Sequence, residues 1–208
     1  MPVDPLLTSS VHWSAFAPLL VTALAIMGSP GPATISLTAT GAAFGVRRSG
    51  AYLAGIVAGT TVVLLAVAAG VTGVLLATPA LRPVLIVPAV AYILYLAYHI
   101  ATAPPLAAGS ATTAAPSAAG GLLLGVANPK AWVAIGAVFV SVRVASGAVL
   151  DAGIKTAALT VLIVLINAAW LAAGASLAPV LRDPARARRA NALLAAALVV
   201  STAAALVR

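Results

Sequence analysis

One lysine of this chain stands inside a long apolar stretch, directly after a helix-breaking pair, in the run Asn128-Pro129-Lys130. A second break, Met27-Gly28-Ser29-Pro30-Gly31-Pro32, interrupts another apolar stretch nearly half the chain earlier. Ser29-Pro30 and Asn128-Pro129 each read as an N-cap followed by proline at the first helical position. A helix that restarts there directs unpaired backbone N–H groups, and the positive end of its dipole, into whatever space the break opens. Lys130 adds a full charge beside one of them. Together these groups suit a carboxylate, such as that of an amino acid or a small organic acid. Asn167 is the one side-chain amide well inside a later apolar run; it serves either this site or ordinary hydrogen bonding between helices.

The elements that position these residues follow from composition. Of 208 residues, 63% are hydrophobic and 7% charged, and the mean hydropathy is +1.17. A soluble domain carries about 25% charged residues, and a disordered chain more, so both classes are excluded. Charge-free runs cover 5–46, 49–81, 83–129, 156–181 and 190–207, with Lys130 following directly on the third. A spanning helix needs about 20 mainly apolar residues, which predicts six, at about 14–40, 50–77, 83–102, 119–142, 154–180 and 190–207. The first is kept as a span and not a signal peptide, because no basic segment precedes it and its apolar run is too long. The strict alternation of barrel strands is missing. The expected class is therefore an all-α integral membrane protein.

Inside a span, a break is tolerated only where its backbone is buried in protein or lines a wet cavity. One proline could merely kink a helix. Here each of two cap-plus-proline breaks falls in the first helix of a group of three, with residues 103–118 as a Pro/Ala/Gly/Ser/Thr-rich linker between 1–102 and 119–208. Three is odd, so the groups must have opposite orientations, the inverted repeat of many transporters with its site at the broken helices. A lysine in mid-span costs about 2.5–3.5 kcal/mol, which makes Lys130 a functional candidate. Snorkelling is the alternative. Against it, too few residues separate Lys130 from Arg143 to span, so 120–127 must belong to the same crossing.

The formal charge of +8 suggests nucleic acid until the basic residues are located at the ends of apolar runs, where they set topology. Six, including Arg47, Arg48 and the Arg182–Arg189 cluster, fall on one side and four on the other, which predicts both termini outside. The arginine cluster also suits anionic headgroups of the bilayer. Gly55-x-x-x-Gly59 and Gly121-x-x-x-Gly125 allow close helix approach, within the chain or between subunits of a homo-oligomer. Asp151 and Lys155 read as a structural i,i+4 pair. Tyr92, Tyr95 and His99 share a helix face, as packing or an interfacial belt, with His99 a reserve proton carrier if it faces a cavity. His12 reads as solvated.

At these residues the chain resembles the LysE/RhtB family of amino-acid exporters. Ser29-Pro30-Gly31-Pro32 and Asn128-Pro129-Lys130 carry the resemblance, with Ala91-Tyr92-Ile93-Leu94-Tyr95-Leu96 and the basic turn Gly45–Gly50 between them. Length, helix number and motif order agree over essentially the whole chain. The resemblance implies a plasma-membrane exporter of amino acids or close derivatives, driven by the proton gradient. Two departures stand out: Asn167 falls where family members often have an acidic residue, and the middle linker is neutral where theirs is usually basic.

Other classes fare worse. With no Cys, no Glu, three Asp near helix ends and two separated His, the chain has neither the base and nucleophile of an enzyme nor the donors of a metal site, and no cofactor is expected. A non-catalytic membrane subunit would explain the apolar helices but neither the two matched breaks nor Lys130. The expected substrate-binding set is Ser29, Pro30, Gly31, Pro32, Asn128, Pro129, Lys130 and Asn167, around a small-molecule substrate such as an amino acid.

Overall fold

The computed structural model describes residues 10–70, 87, 90, 91, 93–95, 97, 98, 101, 102, 116–177, 179 and 183–206. A single turn, Trp13–Ala15, leads into α1 (Phe16–Met27), α2 (Pro32–Arg48) and α3 (Gly50–Ala68); α4 (Ala118–Ala127), α5 (Pro129–Ser141), α6 (Ala148–Ser176) and α7 (Pro184–Leu206) follow. Between 87 and 101 the described residues are also helical, with Ile93 and Ala97 in the core beside Leu37, Tyr52 and Leu198. The predicted linker lies almost wholly outside the described residues, as do Tyr92, Leu96 and His99; Tyr95 is exposed.

Both predicted interruptions are real. The segments α1 and α2 meet at 68°, and α4 and α5 at 56°. At 1.5 Å per residue α1 is about 18 Å long and α4 about 15 Å, so neither half crosses about 30 Å of hydrocarbon alone. Among the described residues two helices, α3 and α6, are long and apolar enough to span, or four spans if each bent pair is one.

Several predicted boundaries move, and the second predicted helix, α3, ends at Ala68 and not near 77. The fifth span begins at Ala148 and not near 154, because Asp151 already sits in its first turn and pairs with Lys155 at 2.7 Å, as expected of that i,i+4 pair. The last helix begins at Pro184 and not at 190, so Arg186, Arg188 and Arg189 lie within it. Asp183 caps it, accepting the Ala185 and Arg186 N–H groups at 2.8 and 3.1 Å. The Arg186 N–H foremost, then that of Ala185, holds this carboxyl below the ordinary carboxylate range. The first span continues to Arg48, with a kink at Gly45, whose φ of 74° only glycine adopts readily.

Close backbone approach assembles the bundle. A Cβ on Gly55 would lie 2.0 Å from the Ala118 carbonyl oxygen, and one on Gly121 2.3 Å from that of Tyr52. The two GxxxG patterns therefore face each other across the α3–α4 interface, inside one chain. Gly41 on α2 and Gly174 on α6 form a second such seam, against Leu171 and Thr38. Residues 31–42 are all buried, so α2 is enclosed on every side over its first three turns. Its hydroxyls turn inward on the helix or onto a neighbour: Thr38 to the Thr34 carbonyl at 2.9 Å, Thr40 to that of Ser36 at 2.7 Å, and Ser36 to the Tyr52 hydroxyl at 2.6 Å.

At one end of the bundle Ser10–His12 pairs with Val144–Ser146. His12 donates its N–H to the Val144 carbonyl at 2.8 Å, and Ser146 donates to that of Ser10 at 3.0 Å. The Ser10 and Ser146 hydroxyl oxygens lie 2.9 Å apart, and His12 Nε2 lies 3.0 Å from the latter, so His12 is tied down as well as exposed. Beneath this clasp Asp151 accepts the Val144 N–H at 2.6 Å, while Lys155 donates to the Phe139 carbonyl at 2.8 Å near the end of α5. The buried pair holds the connection between α5 and α6 in place.

Candidate functional site

A helix that stops in mid-bundle leaves carbonyls unpaired, and side chains donate to several of them here. Ser29 does not cap α2 as its position before Pro30 suggested. Its hydroxyl turns back and donates to the Ile26 carbonyl at 2.8 Å, at the end of α1. The N-cap is Gly31, with Pro32 at the first helical position, and Pro30 lies in the non-helical break. Gly31 donates its N–H to the Thr34 hydroxyl at 2.8 Å, which makes Thr34 the reciprocal residue of a cap that sequence reading missed. At the second break the expectation holds: Asn128 is the N-cap of α5, accepting the Lys130 N–H at 3.1 Å, and Pro129 follows it.

Two tryptophans complete the account, one per break. The Trp170 indole on α6 donates to the Gly28 carbonyl at 3.1 Å, and the Trp132 indole on α5 donates to that of Val126 at 2.8 Å. Neither follows from sequence spacing. Their only signal is a tryptophan within an apolar run, which reads first as an interfacial anchor.

Lys130 joins the breaks. Its ammonium reaches from α5 across to the first break and donates to the Ser29 carbonyl and, at 3.2 Å, to that of Pro30. These carbonyls trail α1, at the negative end of its dipole. Gly31 is needed for that crossing: a Cβ there would lie 2.4 Å from Lys130 Cδ and 3.1 Å from Nζ. The Gly31 backbone is extended, a conformation open to any residue, so the requirement is space.

Beside this crossing lies a cavity of about 50 Å³, with room for a few water molecules. Gly31, Asn128, Lys130 and Asn167 line it, together with Thr34 and Thr60 among the polar residues and Met27, Ile135, Ile163 and Ile166 among the apolar ones. Four of the eight predicted residues are thus brought to one space. Ser29, Pro30, Pro32 and Pro129 shape the breaks around it. A helix beginning at Pro32 offers no intrahelical partner to the Ala33 and Thr34 N–H groups, and both residues line the cavity. The matching amides of α5 are taken, Lys130's by the Asn128 side chain and Ala131's by the Asn128 carbonyl at 3.0 Å. The anion cradle expected at both breaks is therefore closed at the second.

Asn167, buried on α6, donates its amide to the Ile163 carbonyl at 2.7 Å. Its Oδ1 is the one buried side-chain oxygen or nitrogen among the described residues without a hydrogen-bond partner. No group of three His, Cys or acidic side chains gathers as a metal site among the described residues. Two broken apolar spans thus close on a small cavity with a cation at its wall. No curated protein and no solved structure matches the chain. Residues 24–208 match the family model of the LysE type translocator, nearly the whole length, and this multi-pass membrane chain belongs to that family of transporters.

Proposed function

We propose that the protein is a secondary transporter that exports amino acids or close derivatives across the plasma membrane by alternating access, with the proton gradient as its driving force. The observation that carries this reading is Lys130, a cation on one broken span held by the backbone of the other at the wall of a cavity. The chain is read as two inverted three-helix groups, 1–102 and 119–208 joined by 103–118, with both termini outside the cytoplasm.

The Lys130 ammonium is the switching element. Without substrate it is satisfied by the Ser29 and Pro30 carbonyls and ties the breaks together. A substrate carboxylate at the Ala33 and Thr34 N–H groups competes for the same ammonium with a full negative charge, so an ion pair replaces an ammonium–carbonyl hydrogen bond. Exchange of partners loosens the tie between the breaks, so that loading and rocking of the two groups occur together. The cavity is too small for an amino acid until that movement opens it.

The rival reading, a non-catalytic membrane subunit, gains nothing from the GxxxG patterns, because Gly55 and Gly121 are already engaged with each other's helices. The test is uptake of a panel of labelled amino acids into inside-out vesicles, with and without a proton gradient, beside Lys130→Ala and empty vesicles. Gradient-dependent uptake that Lys130→Ala abolishes is expected. Uptake surviving unchanged in the variant would remove Lys130 from the mechanism, and its independence of the gradient would remove the proposed drive.

A further inference from the structure

The unpartnered Asn167 oxygen is the feature that the carboxylate site leaves unexplained. A buried carbonyl without a donor is costly, and each such group in a native fold calls for a reason. Its orientation is settled by chemistry: only the amide NH₂ can donate to the Ile163 carbonyl at 2.7 Å, so the free atom is the oxygen. Asn167 is 6% exposed and lines the cavity with Ala33, Thr34 and Lys130. The cavity thus pairs anion-binding groups with a neutral acceptor, and the rest of its wall is chiefly aliphatic.

We infer that the site selects zwitterionic α-amino acids with neutral aliphatic side chains, the Asn167 carbonyl accepting a hydrogen bond from the substrate's α-ammonium while the carboxylate sits at Ala33, Thr34 and Lys130. The inference rests on the transporter reading above and narrows its substrate class. A basic side chain would need a carboxylate, and neither described aspartate supplies one: Asp151 is bound to Lys155 at the bundle end, and Asp183 is exposed before α7. A second substrate carboxylate would need a second cation, and among the described residues Lys130 is the only one lining the cavity. Ile135, Ile163, Ile166 and Met27 instead offer a neutral side chain an apolar surface.

The test uses the full chain in proteoliposomes, following uptake of labelled valine in competition with excess leucine, arginine, glutamate and 2-hydroxyisovalerate, the analogue of valine with a hydroxyl in place of the ammonium. Leucine should compete, while arginine and glutamate should not. Losing a hydrogen bond to a charged group corresponds to a factor of about ten to a hundred, so Asn167→Leu should raise the KM for valine by that factor. The hydroxy acid should lose less. Asn167→Asp, which keeps the shape should the leucine variant fail to fold, puts a carboxylate at the α-ammonium and should shift the KM for valine while arginine still fails to compete. Arginine or glutamate competing as well as leucine in the unaltered protein, or an unchanged KM in both variants, would overturn the inference while leaving the exporter standing. Failure to transport any amino acid, charged or neutral, would overturn the exporter reading and this inference with it.

Discussion

Gly31 and Lys130 work as a pair, and neither explains itself alone. The lysine stem passes where a Cβ of residue 31 would sit, at 2.4 Å from Cδ, so the glycine exists for the lysine's path to the carbonyls of the first break. The neighbour that must yield is a flexible side chain and not backbone. Gly31→Ala should therefore leave the fold nearly intact while moving the ammonium off the Ser29 and Pro30 carbonyls. A thermal midpoint within a few degrees of the parent, together with at least a severalfold fall in transport, is the expected result; unchanged transport would mean that the crossing does not matter to function. Lys130 was legible in the sequence as a charge out of place. Its partners were not, because they are backbone carbonyls a hundred residues away and carry no side-chain signature.

For the helices, the informative quantity is where backbone groups find partners. Asn128-Pro129 announced its cap correctly because an Asx oxygen and a proline act locally. Ser29-Pro30 misled for the same reason: the motif was present, but Gly31-Pro32 directly behind it took the role, and Thr34 completed the cap. Asp183-Pro184 carried the same signal and was hidden by the arginines after it, which read as a loop. Seams between helices follow another rule. The Gly55 and Gly121 positions meet backbone atoms that no rotamer change can move, so Gly55→Ala and Gly121→Ala should each cost about 1–3 kcal/mol of stability. Unfolding of the purified protein in detergent, followed by denaturant titration, would show it. If both alanines were tolerated without loss, α3 and α4 would not be packed this closely.

In the molecule as a whole, the clasp of Ser10–His12 on Val144–Ser146, with the Asp151–Lys155 pair beneath it, closes one end of the bundle by joining segments from both proposed groups. If the groups rock, this clasp must part. The chain has no cysteine, so Ser10→Cys with Ser146→Cys introduces the only thiols, at positions whose hydroxyl oxygens lie 2.9 Å apart. Oxidation should stop transport and reductant should restore it. Full transport by the cross-linked protein would show that this end stays shut throughout the cycle.

The sequence by itself determined the class of the molecule, the two breaks, the cap at Asn128, the Asp151–Lys155 pair and the misplaced charge of Lys130. All of these depend on local chemistry or on the cost of charge in hydrocarbon, which composition and spacing record directly. Tertiary structure alone decided that the breaks meet, that α5 closes its own anion site, that Trp132 and Trp170 cap the halted helices, and that Asn167 keeps a bare oxygen beside the cavity. Those outcomes turn on which backbone groups remain unpaired after packing. Every residue carries such groups in the same form, so their fate is written in the fold and not in the identity of any one side chain.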